Sequence, residues 1–216
     1  TDVLVAEKGA TVTAIAKEYE GFTKNLAHID TVTEGIISAE QKLVLIVNGK
    51  PRAGKDTFAQ FLNELIPVYK YSMIDKVKMI AMECGWRGQK TEKDRKFLND
   101  LKKLTDDYSS MAFLDVLEKV EAFDNGEITE DVMIIDVREP EDIEELADAT
   151  GAITVFIKND NVPAITSNPA DANVENFDYD ITIDNSGTLD DFREAVEEFL
   201  YILSLLSFYN GEEDDE

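Results

Sequence analysis

The chain has 216 residues, with 46 Asp and Glu against 21 Lys and Arg and a net charge of -25. Such acidity opposes general binding to nucleic-acid backbones, which it would repel unless local positive charge prevailed. The length suits one α/β domain with a full core and a short appendage; no apolar run nears the ~20 residues of a membrane span, and no signal peptide is expected.

Residues 1–40 read as an N-terminal helical extension: Val12, Ile15, Ala16 and Tyr19 fit a helical face that Phe22 and Leu26 continue. Packing on the main domain is its default role, with assembly or a place before a flexible link as the alternatives; a homodimer is one assembly open to the chain. His28 has no cysteine near it, so no zinc site is expected. From residue 41 the pattern alternates strand and helix. Residues 43–47 are an unbroken β-prone run, as in a strand buried on both faces. Phe58, Phe61, Leu62 and Leu65 mark a helix, and residues 68–72 a second strand. The next helix runs from about Ile74 to Gly85. Its apolar rhythm through Val77, Ile80 and Ala81 takes in Cys84, the single cysteine, which is expected to be a buried structural thiol rather than a nucleophile. With no disulfide to form, a reducing cytoplasm is the natural compartment.

Phe97, Leu98, Leu101 and Leu104 give another helical face, and Leu114, Leu117 and Val120 another. Asp124, Asn125 and Gly126 form a turn. Residues 132–135 are a strand, 141–149 a helix with Gly151 past its end, and 153–157 a fourth strand. A loop with two prolines spans 159–176. A fifth strand covers 179–183, and a last helix starts after Thr188, whose spacing to Asp191 suits a capping box. An acidic, disordered tail spans 209–216. A salt-adapted host is another source of the overall acidity. Strands separated by helices imply parallel βαβ units. The expected fold is a three-layer α/β/α domain over residues 41–208 with a five-stranded parallel sheet.

The stretch Gly49, Lys50, Pro51, Arg52, Ala53, Gly54, Lys55 fits G-x-x-x-x-G-K between a buried strand and a helix, the context a phosphate-binding loop requires. Its glycines let successive N–H groups turn inward, and the helix N-terminus adds partial positive charge. Lys55 would reach the β- and γ-phosphates. Asp56 stands where a hydroxyl usually ligates Mg²⁺. It suits a helix start, or could hold a metal-bound water or touch the acceptor; Thr57 supplies a hydroxyl one position later.

The run Gly54, Lys55, Asp56, Thr57 resembles the "GKDT" loop of phage-type deoxynucleoside monophosphate kinases, P-loop enzymes related to adenylate kinase-like and phosphomevalonate kinases. Further segments follow in family order. Residues 71–78 resemble "sFADplK", 85–90 "GWdGdK", 94–101 "gRrlLqeLG", 135–142 "vvDvRfpnE" and 183–189 "iDNsGtLdeL". The resemblance covers about residues 41–203. It implies a P-loop NTPase fold of the nucleoside monophosphate kinase type, ATP and Mg²⁺ as cofactors, small nucleotides as partners, a phage-related source, and transfer of the ATP γ-phosphate to a (deoxy)nucleoside monophosphate. The alternatives are another small phosphorylated acceptor, of the phosphomevalonate or dephospho-coenzyme A kind, and a non-catalytic nucleotide-binding module.

On this reading Lys55 and the loop amides hold ATP with help from Thr57. Asp136 ends a strand, where α/β sheets place ligand groups, and would orient Mg²⁺ through water; capping the next helix is its other use. Arg138 would bridge donor and acceptor phosphates, or else pair with Glu139 or Glu141. Ser72 and Asp75 would contact sugar or base, and Lys78, Lys90 and Arg95 the acceptor phosphate. Trp86 would stack on a base, or serve as a core or hinge residue. Asn185, Ser186 and Gly187 would lie near the donor adenine. Residues 159–178 contain no Arg or Lys, where the superfamily usually has a cationic lid. Arg52, Arg138 and Lys158 are then the expected sources of charge, and the segment, carrying Asp171 and Glu175, is expected to be the most mobile.

Overall fold

One unbroken apolar strand, Leu43–Asn48 (LVLIVN), sets the centre of the fold. The structure, a computed structural model, describes residues 2–5, 12–16, 42–163 and 174–210, with side chains described for 42–163 and 174–203. In chain order the elements are β1 Asp2–Val5, β2 Val12–Ala16, β3 Leu43–Asn48, α1 Lys55–Leu65, β4 Val68–Ser72, α2 Asp75–Glu83, α3 Glu92–Ser109, α4 Met111–Asp124, β5 Val132–Asp136, α5 Pro140–Thr150, β6 Ile153–Lys158, β7 Ile181–Asp184 and α6 Leu189–Asn210.

Five strands run parallel in the order β4-β5-β3-β6-β7, and β2 and β1 extend the sheet antiparallel beyond β7. The expected five-stranded parallel sheet is therefore present within a seven-stranded one. The connection β3–α1–β4 passes β5 in one direction, and β5–α5–β6 passes β3 in the other. The chain thus diverges at the carboxyl end of β3, where open α/β sheets form their binding crevice.

Alternation along β3 explains the layers. Leu45 and Val47 face Phe58 and Leu62 of α1 and Phe192, Val196 and Phe199 of α6. Val44 and Ile46 face Val116 and Phe123 of α4 and Ile143 and Leu146 of α5. Phe58 meets Phe199 edge to face at 5.4 Å between ring centroids. The expected capping box of α6 is formed: the Thr188 amide donates to Asp191 Oδ2 at 2.7 Å, and the Asp191 amide to Thr188 Oγ1 at 3.2 Å.

The structure corrects three readings, and the helix expected over Phe97 to Leu104 forms without a buried face. Val12–Ala16, expected to be helical, is a strand. Its β-branched residues suit either period, and pairing of Val12 with Ile183 and Ala14 with Ile181 covers the otherwise open edge of β7. Helix α2 ends at Glu83 and buries only Val77 and Ala81, so Cys84 lies beyond the packed face and is exposed. Helix α3 buries none of its residues, and Leu104 is 68% exposed. Helix α6 continues to Asn210, taking the first two residues assigned to the tail. The continuation through Tyr19, Phe22 and Leu26, residue His28, the rest of the acidic tail and residues 164–173 of the expected mobile segment lie outside the described residues. Among the described residues no helix is long and apolar enough to cross a membrane.

Candidate active site

The phosphate-type loop closes against two neighbours. Gly49 has φ +151°, and a Cβ there would stand 2.5 Å from the Ile157 carbonyl oxygen of β6. Gly54 has φ +110°, and a Cβ there would stand 2.2 Å from Asn185 Nδ2. Both positions favour glycine for conformation, and Gly49 also for space against the β6 backbone. Arg52 takes a left-handed conformation at φ 70° and is exposed, a strained geometry that costs about 1–2 kcal/mol for a residue with a Cβ and is characteristic of functional loops. The Ala53 amide donates to the Lys50 carbonyl at 2.9 Å, and Asn185 Nδ2 donates to the Ala53 carbonyl at 2.7 Å.

Helix α1 begins directly from this loop, with Gly54 as N-cap and no side chain capping it. Its first N–H groups are therefore left to the concavity of the loop, the arrangement that binds anions at helix starts. The Lys55 ammonium folds back over the loop and donates to the carbonyl oxygens of Gly49 and Lys50, the latter at 3.1 Å. Asn48 supports the loop from below. Its Oδ1 accepts from the Gly49 amide at 2.8 Å, and its Nδ2 donates to Tyr179 Oη at 2.8 Å and to the Arg138 carbonyl at 3.3 Å. Lys50 itself pairs with Glu175 at 2.8 Å. Sequence reasoning did not single out Asn48 or Tyr179.

Asp136 ends β5, beside the loop. Helix α5 is capped at Glu139 with Pro140 at its start, so Asp136 is not the cap of that helix. Its Oδ2 accepts from Lys70 Nζ at 3.1 Å, while its Oδ1 is buried without a hydrogen-bond partner. Burial holds the Asp136 carboxyl above the ordinary carboxylate range, against the opposing fields of Lys70 and Lys55. Lys70 also contacts Asp56 Oδ1, and this hydrogen bond, with lesser help from Lys55 and Lys90, holds the Asp56 carboxyl low. Burial opposes the charge on Lys70, yet Asp56 and Asp136 outweigh it and raise the ammonium above its usual value. The one sequence signal for Lys70 was a lone charge within the aromatic strand VYKYS.

A metal fits this place in part. Asp136 offers an unsatisfied buried oxygen, and Thr57 sits in the first turn of α1. No cluster of three or more His, Cys, Asp or Glu able to hold a metal occurs among the described residues. A single carboxylate with a nearby hydroxyl suits Mg²⁺, which commonly takes one or two carboxylates and completes its shell with water and phosphate oxygens.

The residues expected on the acceptor side separate into three groups. Asp75 Oδ2 accepts from the Ser72 amide at 2.9 Å, and its Oδ1 accepts from Lys78 at 2.6 Å, so these three form one local unit at the start of α2. Trp86 is half-buried in the following turn and donates its indole N–H to the Gln89 carbonyl at 3.0 Å. Arg95 lies exposed on the first turn of α3, whereas Lys90, also exposed, is near enough to act on Asp56. Behind them Asp115 of α4, buried, accepts from Tyr71 Oη and pairs with Lys76 at 3.6 Å. Arg138 is exposed at the edge that carries Asp136. Lys158 is engaged by Asp160 at 2.9 Å and Asp184 at 3.7 Å. Ser186 Oγ accepts from the Asp160 amide at 2.9 Å and its carbonyl from Asn161 Nδ2 at 2.8 Å, while Gly187 packs on Asp191. Residues 185–187 thus join the loop to the turn after β6.

No protein-family model and no curated protein matches this chain. Solved structures similar to it include a dephospho-CoA kinase from Campylobacter jejuni, at 18% identity and a TM-score of 0.48 over 77% of this chain and 100% of that one. A gluconokinase from Sinorhizobium meliloti 1021 aligns at 13% identity and a TM-score of 0.45 over 81% and 99%. A shikimate kinase from Aquifex aeolicus aligns at 14% identity and a TM-score of 0.43 over 77% and 99%.

Proposed function

We propose that the chain is an ATP-dependent phosphotransferase that moves the γ-phosphoryl group of ATP to a (deoxy)nucleoside monophosphate. The observation that carries this reading is the loop from Gly49 to Lys55: two glycines at positive φ, a helix start with no side-chain cap and a lysine ammonium folded over the loop carbonyls occur together. In such a transfer the bond from the γ-phosphorus to the β,γ-bridging oxygen breaks as an acceptor phosphate oxygen bonds to that phosphorus. Catalysis is then positioning and charge compensation. The loop amides and Lys55 would hold the β- and γ-phosphates, and Arg138, at the crevice edge, would span donor and acceptor phosphates. Lys78 and Lys90 would bind the acceptor, with Trp86 beside its base. Asp136, with Thr57 and water, would hold Mg²⁺, which when bound offsets charge on the phosphate oxygens.

The test is ADP release measured over a panel of deoxynucleoside and nucleoside monophosphates, with phosphomevalonate and dephospho-coenzyme A as comparison acceptors. Release that depends on one or more monophosphates is the expected result. Release only with a comparison acceptor keeps the chemistry and changes the substrate. ATP binding with no acceptor-dependent release would make the chain a nucleotide-binding module.

A further inference from the structure

Two consecutive elements, α1 and β4, and the distant strand β5 bring Asp56, Lys70 and Asp136 together. Asp56 is in the first turn of α1, Lys70 is on β4, and Asp136 ends β5. The two carboxylates meet at one ammonium: Asp136 Oδ2 lies 3.1 Å from Lys70 Nζ, and Asp56, whose side chain is exposed, contacts the same nitrogen. In this structure one ammonium serves both. It leaves Asp136 Oδ1 buried and unpartnered, so the ion pair satisfies one oxygen of that carboxylate and not the other. A buried acceptor left in this way has room in its hydrogen-bonding capacity for a water or a cation.

We propose that Lys70 is the resident counter-ion of the divalent-cation position, bridging Asp56 and Asp136 until a metal carried by the nucleotide displaces it. This inference rests on the reading of the loop as a nucleotide site. Two acids beside one crevice repel each other when no cation lies between them. A tethered ammonium supplies that cation before any nucleotide arrives, and it competes with free metal for the same oxygens. On nucleotide binding Lys70 would release the two carboxylates, and Asp136 would then be free to help hold a metal brought with the phosphates. In a chain of net charge -25, such competition also keeps free divalent cations from occupying the site without a nucleotide.

The probe is Mn²⁺, titrated into the full chain without nucleotide and followed by the electron-spin-resonance signal of the free ion. Lys70→Gln and Lys70→Met should each bind one Mn²⁺ about tenfold more tightly than the unaltered chain, as expected for removing a positive charge a few ångströms from the ion. Lys70→Arg should stay weak. Lys96→Gln, which removes an equal charge from an exposed pair with Asp100 on α3, should behave as the unaltered chain. Adding Asp136→Asn to Lys70→Gln should abolish the gain. The proposal is overturned if the neutral Lys70 variants bind no more tightly than Lys96→Gln, or if the gain survives Asp136→Asn. A parallel titration with ATP separates the two levels. Tight Mn²⁺–ATP binding with no effect of Lys70 removes this proposal alone. Mn²⁺ bound no better with ATP than without removes the nucleotide reading as well.

Discussion

The loop with α1, and the flank formed by α2 and α3, are built in opposite ways. Helix α1 buries Phe58, Ala59, Phe61 and Leu62, and the loop before it is braced by Asn48, Asn185 and Lys55. Helix α2 buries two residues and α3 none; Met79, Met82, Leu104 and Tyr108 are all at least half exposed. A site that grips a phosphate chain works by fixed geometry, because its donors must already point where the charge arrives. A flank with few buried contacts opens locally at low cost and suits closure over a second substrate. On the proposed function, the rigid half is the donor side and the loose half the acceptor side.

The strongest way to break this comparison is to spoil the rigid half. Gly54→Ala drives a methyl group onto the Asn185 amide in a backbone conformation that alanine resists. It should lower ATP affinity about a hundredfold and stability by about 2–4 kcal/mol, measured by nucleotide titration and urea unfolding. Arg138→Ala should sharpen the comparison from the edge between the halves. Acceptor-dependent ADP release is expected to fall about thirtyfold or more while ATP affinity stays within about threefold, since a group engaged mainly in the transition state affects rate rather than ground-state binding. Equal losses in both would remove that role for Arg138.

Asp136→Asn tests the electrostatic cost stored in the donor side. Burial raises the folded-state pKa of Asp136 above its unfolded value. The charged carboxylate therefore costs stability above the folded pKa, and the cost disappears as pH falls through it. In the absence of nucleotide and metal, Asp136→Asn should melt a few degrees higher than the unaltered chain at about pH 7, with the difference closing towards about pH 4, while ADP release is lost. A lower melting temperature at neutral pH would mean that the Lys70 pair, not desolvation, dominates there. At the small end, Leu104→Ser on the exposed face of α3 should change stability by no more than about 0.5 kcal/mol. A loss of 2 kcal/mol or more, the size expected for a buried leucine, would show that α3 is packed rather than loose.

Legibility in the sequence followed the same division. The parallel strands could be read because each is a β-prone run bounded by turns, and the loop because its glycines, lysine and flanking elements occur together in sequence. Residues 12–16 misled because Val12, Ile15 and Ala16 satisfy a helical period, whereas the deciding factor was an open strand edge at Ile181 and Ile183, far along the chain. Cys84 shared an apolar spacing with α2 but fell past its last turn. The grouping of Asp56, Lys70 and Asp136 depends on β5 lying between β3 and β4, an order that periodicity does not encode. Asn48 and Tyr179 likewise meet across 131 positions. Local chemistry was readable, and contacts made by strand order were not.

The measurement that tests the central claim most directly is calorimetric titration of Mg²⁺–ATP into the unaltered chain and into Lys55→Ala. One site is expected on the unaltered chain, and a loss of affinity of about a hundredfold, about 2.7 kcal/mol, in the variant. Equal affinity in the two proteins, or no ATP binding to the unaltered chain, would contradict that claim.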